Sequence, residues 1–193
     1  MLKVGITGGI GSGKSIVCQV FKTLGIPIFN ADNAAKFLMQ HDISLMNQIK
    51  KIFGEGIYKN NQLQSTTLAN IVFANKQKLQ QLNELVHPAT IAFANNWIYS
   101  QNGPYIIKEA ALFFESGTDS EMNIMIGIFA PKELRIKRVL ERNSLTINEV
   151  EARIAQQMNE DEKMDRCNFI ITNNDLMAVI PQVLLIHQKL LSL

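Results

Sequence analysis

The sequence has little of what marks redox, metal-binding, membrane or nucleic-acid-binding proteins. Its two cysteines, Cys18 and Cys167, lie far apart in apolar surroundings and form no CxxC pair or Cys/His cluster, which favours buried free thiols. No apolar run approaches the ~20 residues that span a bilayer. The 19 basic and 17 acidic residues leave a formal charge of +2, so charge gives no reason to expect a nucleic acid or a membrane as partner.

The overall composition is that of an ordinary globular protein. Hydrophobic residues make up 47% of the chain and charged residues 19%, which excludes collagen-like, low-complexity and broadly disordered classes. A chain of 193 residues can bury a core without disulfides or metals. Because Lys3 and Gly5 interrupt the apolar N-terminus, it does not resemble a signal peptide, and we expect a cytoplasmic protein with no cleaved leader.

Short apolar runs alternate with longer segments of helical spacing along the chain. The runs are Leu2–Thr7, 26–30, 105–108, Ile124–Phe129 and 168–172, and the helical segments are 14–24, 33–40, 76–99, 132–142, 147–159 and 177–191. This alternation predicts a single three-layer α/β/α domain with a five-stranded parallel sheet.

The gap between the second and third runs is much longer than one crossover helix requires. It predicts a helical insertion, residues 36–100, in a core made of residues 1–35, 101–134 and 161–193. An insertion after the second strand of a nucleotide-binding sheet lies beside the ligand crevice. The insertion therefore either holds a second substrate or is a helical elaboration without a ligand.

One segment carries specific chemistry. Residues 8–15, Gly-Gly-Ile-Gly-Ser-Gly-Lys-Ser, satisfy G-x-x-x-x-G-K-[ST] between an apolar run and a helical segment. The backbone amides of such a loop surround phosphates, which the small residues Gly9, Gly11, Ser12 and Gly13 allow. Lys14 reaches the β- and γ-phosphates, and the Ser15 hydroxyl is a ligand of Mg²⁺. The alternative, a glycine-rich turn without a ligand, fits this context poorly. The glycine spacing also differs from the dinucleotide pattern G-x-G-x-x-G, so we expect a nucleoside triphosphate.

The absence of other signatures narrows the class of phosphate-loop protein. There is no D-x-x-G switch, and residues 75–78 (Asn-Lys-Gln-Lys) lack the final Asp of the guanine motif N-K-x-D. Motor and transporter ATPases typically have a hydrophobic run that ends in Asp. The third apolar run here, residues 105–109 (Tyr-Ile-Ile-Lys-Glu), does not end in that way. These absences, the small size and the insertion favour phosphoryl transfer to a small molecule.

Two further features suit phosphoryl transfer, and each has an alternative. Asp32 follows the second apolar run, where a carboxylate can accept the proton of an attacking hydroxyl or can cap a helix that starts at Asn33. Arg135, Arg138 and Arg142 share one helical face. They either close over the γ-phosphate as a mobile lid or form a solvated basic face.

In its motifs the chain resembles the dephospho-coenzyme A kinases over nearly its whole length. The phosphate loop, with Ile16 where that family commonly has Thr, is similar to the family's own loop. Six further segments resemble motifs of that family. In chain order they are residues 30–32 (D-A-D in the family), 87–88 (H-P), 111–115 (P-L-L-F-E), 138–142 (R-x-x-x-R), 153–157 (R-I-x-x-Q) and 167–173 (A-D-x-x-I-x-N). The resemblance implies transfer of the γ-phosphate of ATP to the ribose 3′-hydroxyl of dephospho-coenzyme A, with Mg²⁺.

The resemblance also implies roles for individual residues. Lys14 and Ser15 handle phosphates and Mg²⁺, Asp32 is the base, and Arg138 and Arg142 belong to a lid, residues 135–160. The residues assigned to ATP are Gly9, Gly11, Ser12, Gly13, Lys14, Ser15, Ile16, Arg142 and Asn173, and those assigned to the acceptor are Asp32, His87, Leu112 and Glu115.

Some of these assignments leave alternatives. His87 precedes Pro88, which predicts a bend, and it either contacts the coenzyme or bonds a backbone carbonyl in that bend. Glu115 either orients substrate or a Mg²⁺-bound water, or pairs with a lid arginine. The departures Asn30 for Asp, Ile16 for Thr and Ser65 for Arg leave Lys14, Ser15 and Asp32 in place, so we expect activity.

The expected partners are ATP and dephospho-coenzyme A, with no nucleic acid or membrane, for a monomer or weak homo-oligomer. A kinase of another nucleoside or nucleotide on the same core is the nearest alternative. A slowly hydrolysing nucleotide-binding regulator is a more distant one, and such a regulator has no need of Asp32.

Overall fold

The computed structural model describes residues 1–142 and 145–193. The chain divides into two compact units. Met1–Asn30 and Gln101–Leu193 form one, called here the sheet unit, and Ala31–Ser100 form the other, the helical unit.

The described elements alternate as the periodicity predicts. The strands are β1 (Leu2–Thr7), β2 (Ile28–Asn30), β3 (Tyr58–Lys59), β4 (Gln62–Leu63), β5 (Tyr105–Glu109), β6 (Ile124–Phe129) and β7 (Phe169–Thr172). The helices are α1 (Lys14–Thr23), α2 (Ala31–His41), α3 (Ile43–Phe53), α4 (Ser65–Ala74), α5 (Lys76–Tyr99), α6 (Lys132–Arg142), α7 (Ile147–Ile154), α8 (Glu160–Asp165) and α9 (Val179–Leu191).

A parallel sheet organises the sheet unit. In the described part of the chain it has five strands in the order β2-β5-β1-β6-β7, and every pairing is parallel. Val4 and Ile6 of β1 have no exposed surface, because a parallel sheet is covered by helices on both faces. The predicted three-layer α/β fold is confirmed.

The apolar faces of α1 and α9 pack against the sheet and form the core of the sheet unit with it. Phe21 of α1 and Val183 of α9 are fully buried in one cluster with the β1 side chains, and the Phe21 ring meets Tyr105 of β5 edge to face at 6.5 Å. Since β1 ends at Thr7 and α1 begins at Lys14, this packing fixes both ends of the loop between them.

The helical unit has a separate core. Leu38, Ile49 and Val86 are buried at the centre of a cluster made by α2, α3, α4 and α5. Asn60 and Asn61 have φ of 50° and 59°, which is the backbone that a two-residue turn between β3 and β4 requires. No helix among the described residues is long and apolar enough to cross a membrane.

Three local predictions are wrong. The segment 147–159 is not one helix, because α7 ends at Ile154, and the side chain of Asn159 accepts from the amides of Asp161 and Glu162 and begins α8 as a separate helix. Asp32 does not cap a helix at Asn33, since α2 already begins at Ala31 and Asp32 lies in its first turn. The predicted bend at His87 is absent because α5 continues through Pro88.

Candidate active site

The phosphate loop joins β1 to α1 with the geometry that its glycines permit. Gly11 and Gly13 have φ of 80° and 95°, a left-handed backbone that residues with a Cβ rarely adopt. The loop closes on itself through the Ser12 amide, which donates to the Gly9 carbonyl at 3.1 Å. Lys14 Nζ crosses the loop and donates to the carbonyls of Gly8 and Gly9 at 2.8 and 3.2 Å. The loop thus holds its lysine at the N-terminus of α1, where an anion is favoured.

A buried carboxylate lies beside the loop serine. Glu109, the last residue of β5, is 6% exposed, and its Oε1 accepts from Ser15 Oγ at 3.3 Å. Its Oε2 accepts from Asn30 Nδ2 at 2.6 Å. The amide of Asn30 suits this position, because an aspartate here would oppose the carboxylate of Glu109.

The hydroxyl and carboxylate oxygens of Ser15 and Glu109 are the hard donors that Mg²⁺ prefers. They therefore fit the Mg²⁺ that the sequence predicts. Within residues 1–142 and 145–193, no three His, Cys, Asp or Glu side chains gather as a ready-made metal site. Mg²⁺ usually keeps several waters and takes only one or two carboxylates with substrate phosphates, so a pair of protein oxygens is sufficient.

A side chain from the segment after β7 bonds to the other side of the loop and is itself bonded by an arginine of α6. Asn173 is buried, and its Nδ2 donates to the Ser12 carbonyl at 2.9 Å. Arg138 Nη2 donates to Asn173 Oδ1 at 3.3 Å and pairs with Asp175. Among the buried side-chain atoms of the described residues, only Ser12 Oγ and Arg138 Nη1 have no hydrogen-bond partner. Unsatisfied buried donors of this kind suit a polar ligand.

The three arginines of α6 differ in their surroundings. Arg135 is 4% exposed and its Nε donates to the Ala130 carbonyl at 3.0 Å, so it does not belong to a solvated basic face. Arg138 is partly buried against Asn173, whereas Arg142 is exposed at the end of α6. Residues 143 and 144 of the predicted lid lie outside the described residues.

Glu115 is fixed by a lysine rather than by a lid arginine. Lys163 has no exposed surface, and its Nζ donates to Glu115 Oε1 and to the Ala111 carbonyl, both at 3.0 Å. Leu112, in the same loop, is 43% exposed. This loop follows β5 and lies at the same end of the sheet as the phosphate loop, because the strands are parallel.

Two acceptor residues of the prediction lie in the helical unit. Asp32 is exposed in the first turn of α2. His87 lines an open groove on one face of α5 together with Asn83, Glu84 and Pro88. Partial burial lowers the pKa of His87 below its ordinary value, so its imidazole is neutral near pH 7.

Sequence reasoning missed several polar residues around the loop. Glu109 was visible as a charged residue that ends a buried strand run, and such a residue comes to the ligand-binding edge of a parallel sheet. Gln157 and Glu160 also bond to the loop, through the amides of Ile10 and Gly9. No local pattern indicated that Lys163 is buried, because its partners Ala111 and Glu115 are distant in sequence.

Comparison with known proteins identifies the family. The family model described as "CoaE: Dephospho-CoA kinase" matches residues 2–178. The chain belongs to the dephospho-CoA kinase family. A dephospho-CoA kinase of Bacteroides fragilis is 33% identical over 95% of this chain and 90% of its own length. One of Chlorobium chlorochromatii is 35% identical over 90% and 85%.

Solved structures agree with membership of the dephospho-CoA kinase family. TT1252 from Thermus thermophilus matches with a TM-score of 0.86 at 28% identity, covering 99% of this chain and 96% of that one. The dephospho-CoA kinase from Campylobacter jejuni gives 0.71 at 26% identity, covering 98% and 97%. A shikimate kinase from Bacteroides thetaiotaomicron, 12% identical with a TM-score of 0.54, shares the fold alone. The predicted family is confirmed, whereas the roles of single residues stay predictions.

Proposed function

We propose that this protein is a dephospho-CoA kinase, which transfers the γ-phosphate of ATP to the ribose 3′-hydroxyl of dephospho-CoA and releases CoA and ADP. The observation that carries the proposal is the family match over residues 2–178, since it includes both the phosphate loop and the helical unit. The loop geometry supports nucleotide binding independently of that match.

The sheet unit supplies the groups that bind the nucleotide. The amides of Gly11, Ser12 and Gly13 and the N-terminus of α1 hold the phosphates. Lys14 and Ile16 of α1 also contact the ATP. Arg138, Arg142 and Asn173 flank the rest of the nucleotide. Ser15 and Glu109 would hold Mg²⁺, which would offset the negative charge of the phosphates.

The chemical step needs a base and a cation for the developing charge. Asp32 accepts the proton of the 3′-hydroxyl while that oxygen attacks the γ-phosphorus, and the bond to the ADP oxygen breaks. Lys14 and Arg138 stabilise the charge that spreads over the γ-phosphate oxygens. Asp32 suits this role because it is exposed on α2 two residues after Asn30, whose side chain bonds to Glu109.

The remaining parts of the proposal concern the acceptor and the organisation of the chain. His87, Leu112 and Glu115 contact dephospho-CoA, with His87 as a neutral hydrogen-bonding group. Residues 36–100 are the acceptor-binding insertion, residues 135–160 the lid, and the rest the nucleotide-binding core. The enzyme acts in the cytoplasm as a monomer or weak homo-oligomer.

A coupled assay of ADP release from Mg·ATP, with and without dephospho-CoA, tests this function. We expect ADP release that depends on the acceptor, and CoA as the second product by chromatography. ADP release at the same slow rate without the acceptor would instead indicate a hydrolase or a regulator. Turnover with nucleosides but not with dephospho-CoA would indicate a different small-molecule kinase.

A further inference from the structure

The outer part of the phosphate loop, Gly9 and Ile10, is held by side chains from a distant segment. The amide of Ile10 donates to Gln157 Oε1 at 3.0 Å. The amide of Gly9 donates to Glu160 Oε1 at 3.4 Å. Both acceptors come from the sequence around the start of α8, about 150 residues further along the chain.

Arg135 packs against the same part of the loop. A Cβ on Gly9 would collide with its guanidinium, and one on Gly11 would collide with its backbone carbonyl. Arg135 Nη1 lies 3.6 Å from Glu160 Oε2, and the two side chains are 5% and 13% exposed. The ion pair therefore places a compensating positive charge beside the carboxylate that accepts from the Gly9 amide.

The segment that carries Gln157 is anchored independently of the loop. The amide of Met158, its neighbour, donates to Glu115 Oε1 at 2.7 Å. Glu115 is itself held by the fully buried Lys163 of α8. The amide of Gln157 itself donates to the Ile154 carbonyl at 3.0 Å. The backbone at Gln157 is thus fixed by two hydrogen bonds, so the bond to Ile10 constrains the loop rather than the glutamine alone.

We propose that Gln157 is a positioning residue for the nucleotide: its side-chain carbonyl holds the Ile10 amide and so presets the phosphate loop for ATP. The proposal rests on the proposed function only in taking ATP as the ligand. A loop that is already ordered loses less conformational freedom when the ligand binds. The effect therefore falls on nucleotide affinity, while the groups that act on the γ-phosphate are unchanged.

The test replaces Gln157 by methionine, which keeps the length of the side chain and removes the acceptor. The matched control is Gln156→Met at the adjacent exposed glutamine. Calorimetric titration with the magnesium complex of a non-hydrolysable ATP analogue measures affinity without the acceptor. We expect Q157M to weaken binding about tenfold, because the released loop would lose more conformational freedom when the nucleotide binds, and to raise the KM for ATP similarly. We expect kcat and the KM for dephospho-CoA to stay within about twofold of wild type, and Q156M to behave as wild type.

Amide hydrogen exchange provides a second measurement, and its first part needs only the wild-type protein. We expect the Ile10 amide to be protected without nucleotide and to lose that protection in Q157M. Unchanged nucleotide affinity in a folded Q157M, a loss of kcat alone, or rapid exchange of Ile10 in the wild type would overturn the proposal. If the wild type binds the analogue but does not phosphorylate dephospho-CoA, the proposed function fails while the role of Gln157 stands.

Discussion

Glu109 shows how one buried charge can organise its surroundings. Its two oxygens accept from Ser15 and Asn30, which supplies part of the hydrogen bonding that a buried carboxylate needs. The thiol of Cys18, one turn after Ser15 on α1, has its pKa raised by burial and then by the Glu109 carboxylate. Cys18 is therefore a protonated, unreactive thiol, in agreement with the free-thiol interpretation of the sequence.

Replacing Glu109 by glutamine tests its part in metal binding. The variant keeps the shape of the side chain but removes the charge, so we expect a higher Mg²⁺ concentration for half-maximal rate and a loss in kcat of about tenfold or more. Glu121→Gln is the control, because the Glu121 carboxylate pairs with Lys108, the residue before Glu109 on β5, and lies outside the proposed site. An unchanged Mg²⁺ dependence in Glu109→Gln would remove Glu109 from the metal site.

Asp32→Asn tests the proposed base. We expect kcat to fall about a hundredfold or more, as for loss of a general base. Stability should fall only slightly, because a carboxylate in the first turn of an exposed helix contributes about 0.3–1 kcal/mol. Asp42→Asn is the matched control. Asp42 caps α3 through the Leu45 amide, and asparagine caps equally well. Normal turnover in folded Asp32→Asn would exclude Asp32 as the base.

At the scale of elements, the sequence predicted what depends on local pattern and missed what depends on distant partners. The apolar runs of β1 and β6 and the spacing of α5 and α6 predict those elements with their observed limits. The phosphate loop was equally evident, because G-x-x-x-x-G-K-[ST] is a local motif. The bond from Ile10 to Gln157 could not be predicted, because it depends on how two segments far apart in sequence pack.

The error at Pro88 is also an element-scale result. Proline disfavours a helical residue before it and cannot supply the amide that would bond the Glu84 carbonyl. Yet α5 continues, because Val86, Thr90 and Ala94 bury one face of the helix on both sides of the proline. Tertiary packing thus outweighs the local preference.

Pro88→Ala measures how much stability the protein loses by having a proline inside α5. Alanine restores the missing amide and fits a helix interior about 3 kcal/mol better than proline. Greater freedom of the unfolded chain offsets about 1 kcal/mol of this gain. We expect a net stabilisation of about 1–2 kcal/mol, seen as a rise of several degrees in the thermal unfolding midpoint. A lower midpoint would show that the proline ring makes packing contacts that alanine cannot replace.

At the scale of the whole molecule, one exposed edge of the sheet is protected by a side chain. In the described chain β7 pairs only with β6, so its outer edge carries backbone groups that a second chain could pair with. Gln182 of α9 covers Thr172 by accepting from its amide and donating to its carbonyl, both at 2.9 Å. This cover supports the proposed monomer or weak homo-oligomer, because it blocks part of the edge from pairing with another copy.

The stability of the whole fold should decrease at alkaline pH. Burial raises the pKa of Cys18 and Tyr105 above their ordinary values of 9.0 and 10.0, and raises that of Tyr58 to about 12. The folded protein therefore keeps protons that the unfolded chain releases. The stability that these groups contribute is fully present below about pH 9 and is lost as the pH rises above that value.

Cys18→Ala separates the contribution of the thiol. We expect the free energy of unfolding of the wild type, measured in urea, to fall between about pH 8 and about pH 10. The fall should be smaller in the variant, by up to about 1 kcal/mol per pH unit above the pKa of the unfolded thiol. Cys167→Ala should reduce the fall to a similar extent, because the pKa of its thiol is raised to about 11 and this thiol also stays largely protonated in the folded protein over the same range. An equal fall in wild type and Cys18→Ala would mean that the thiol is not held in its protonated form by the fold. The pH dependence would then come from Cys167 and the tyrosines.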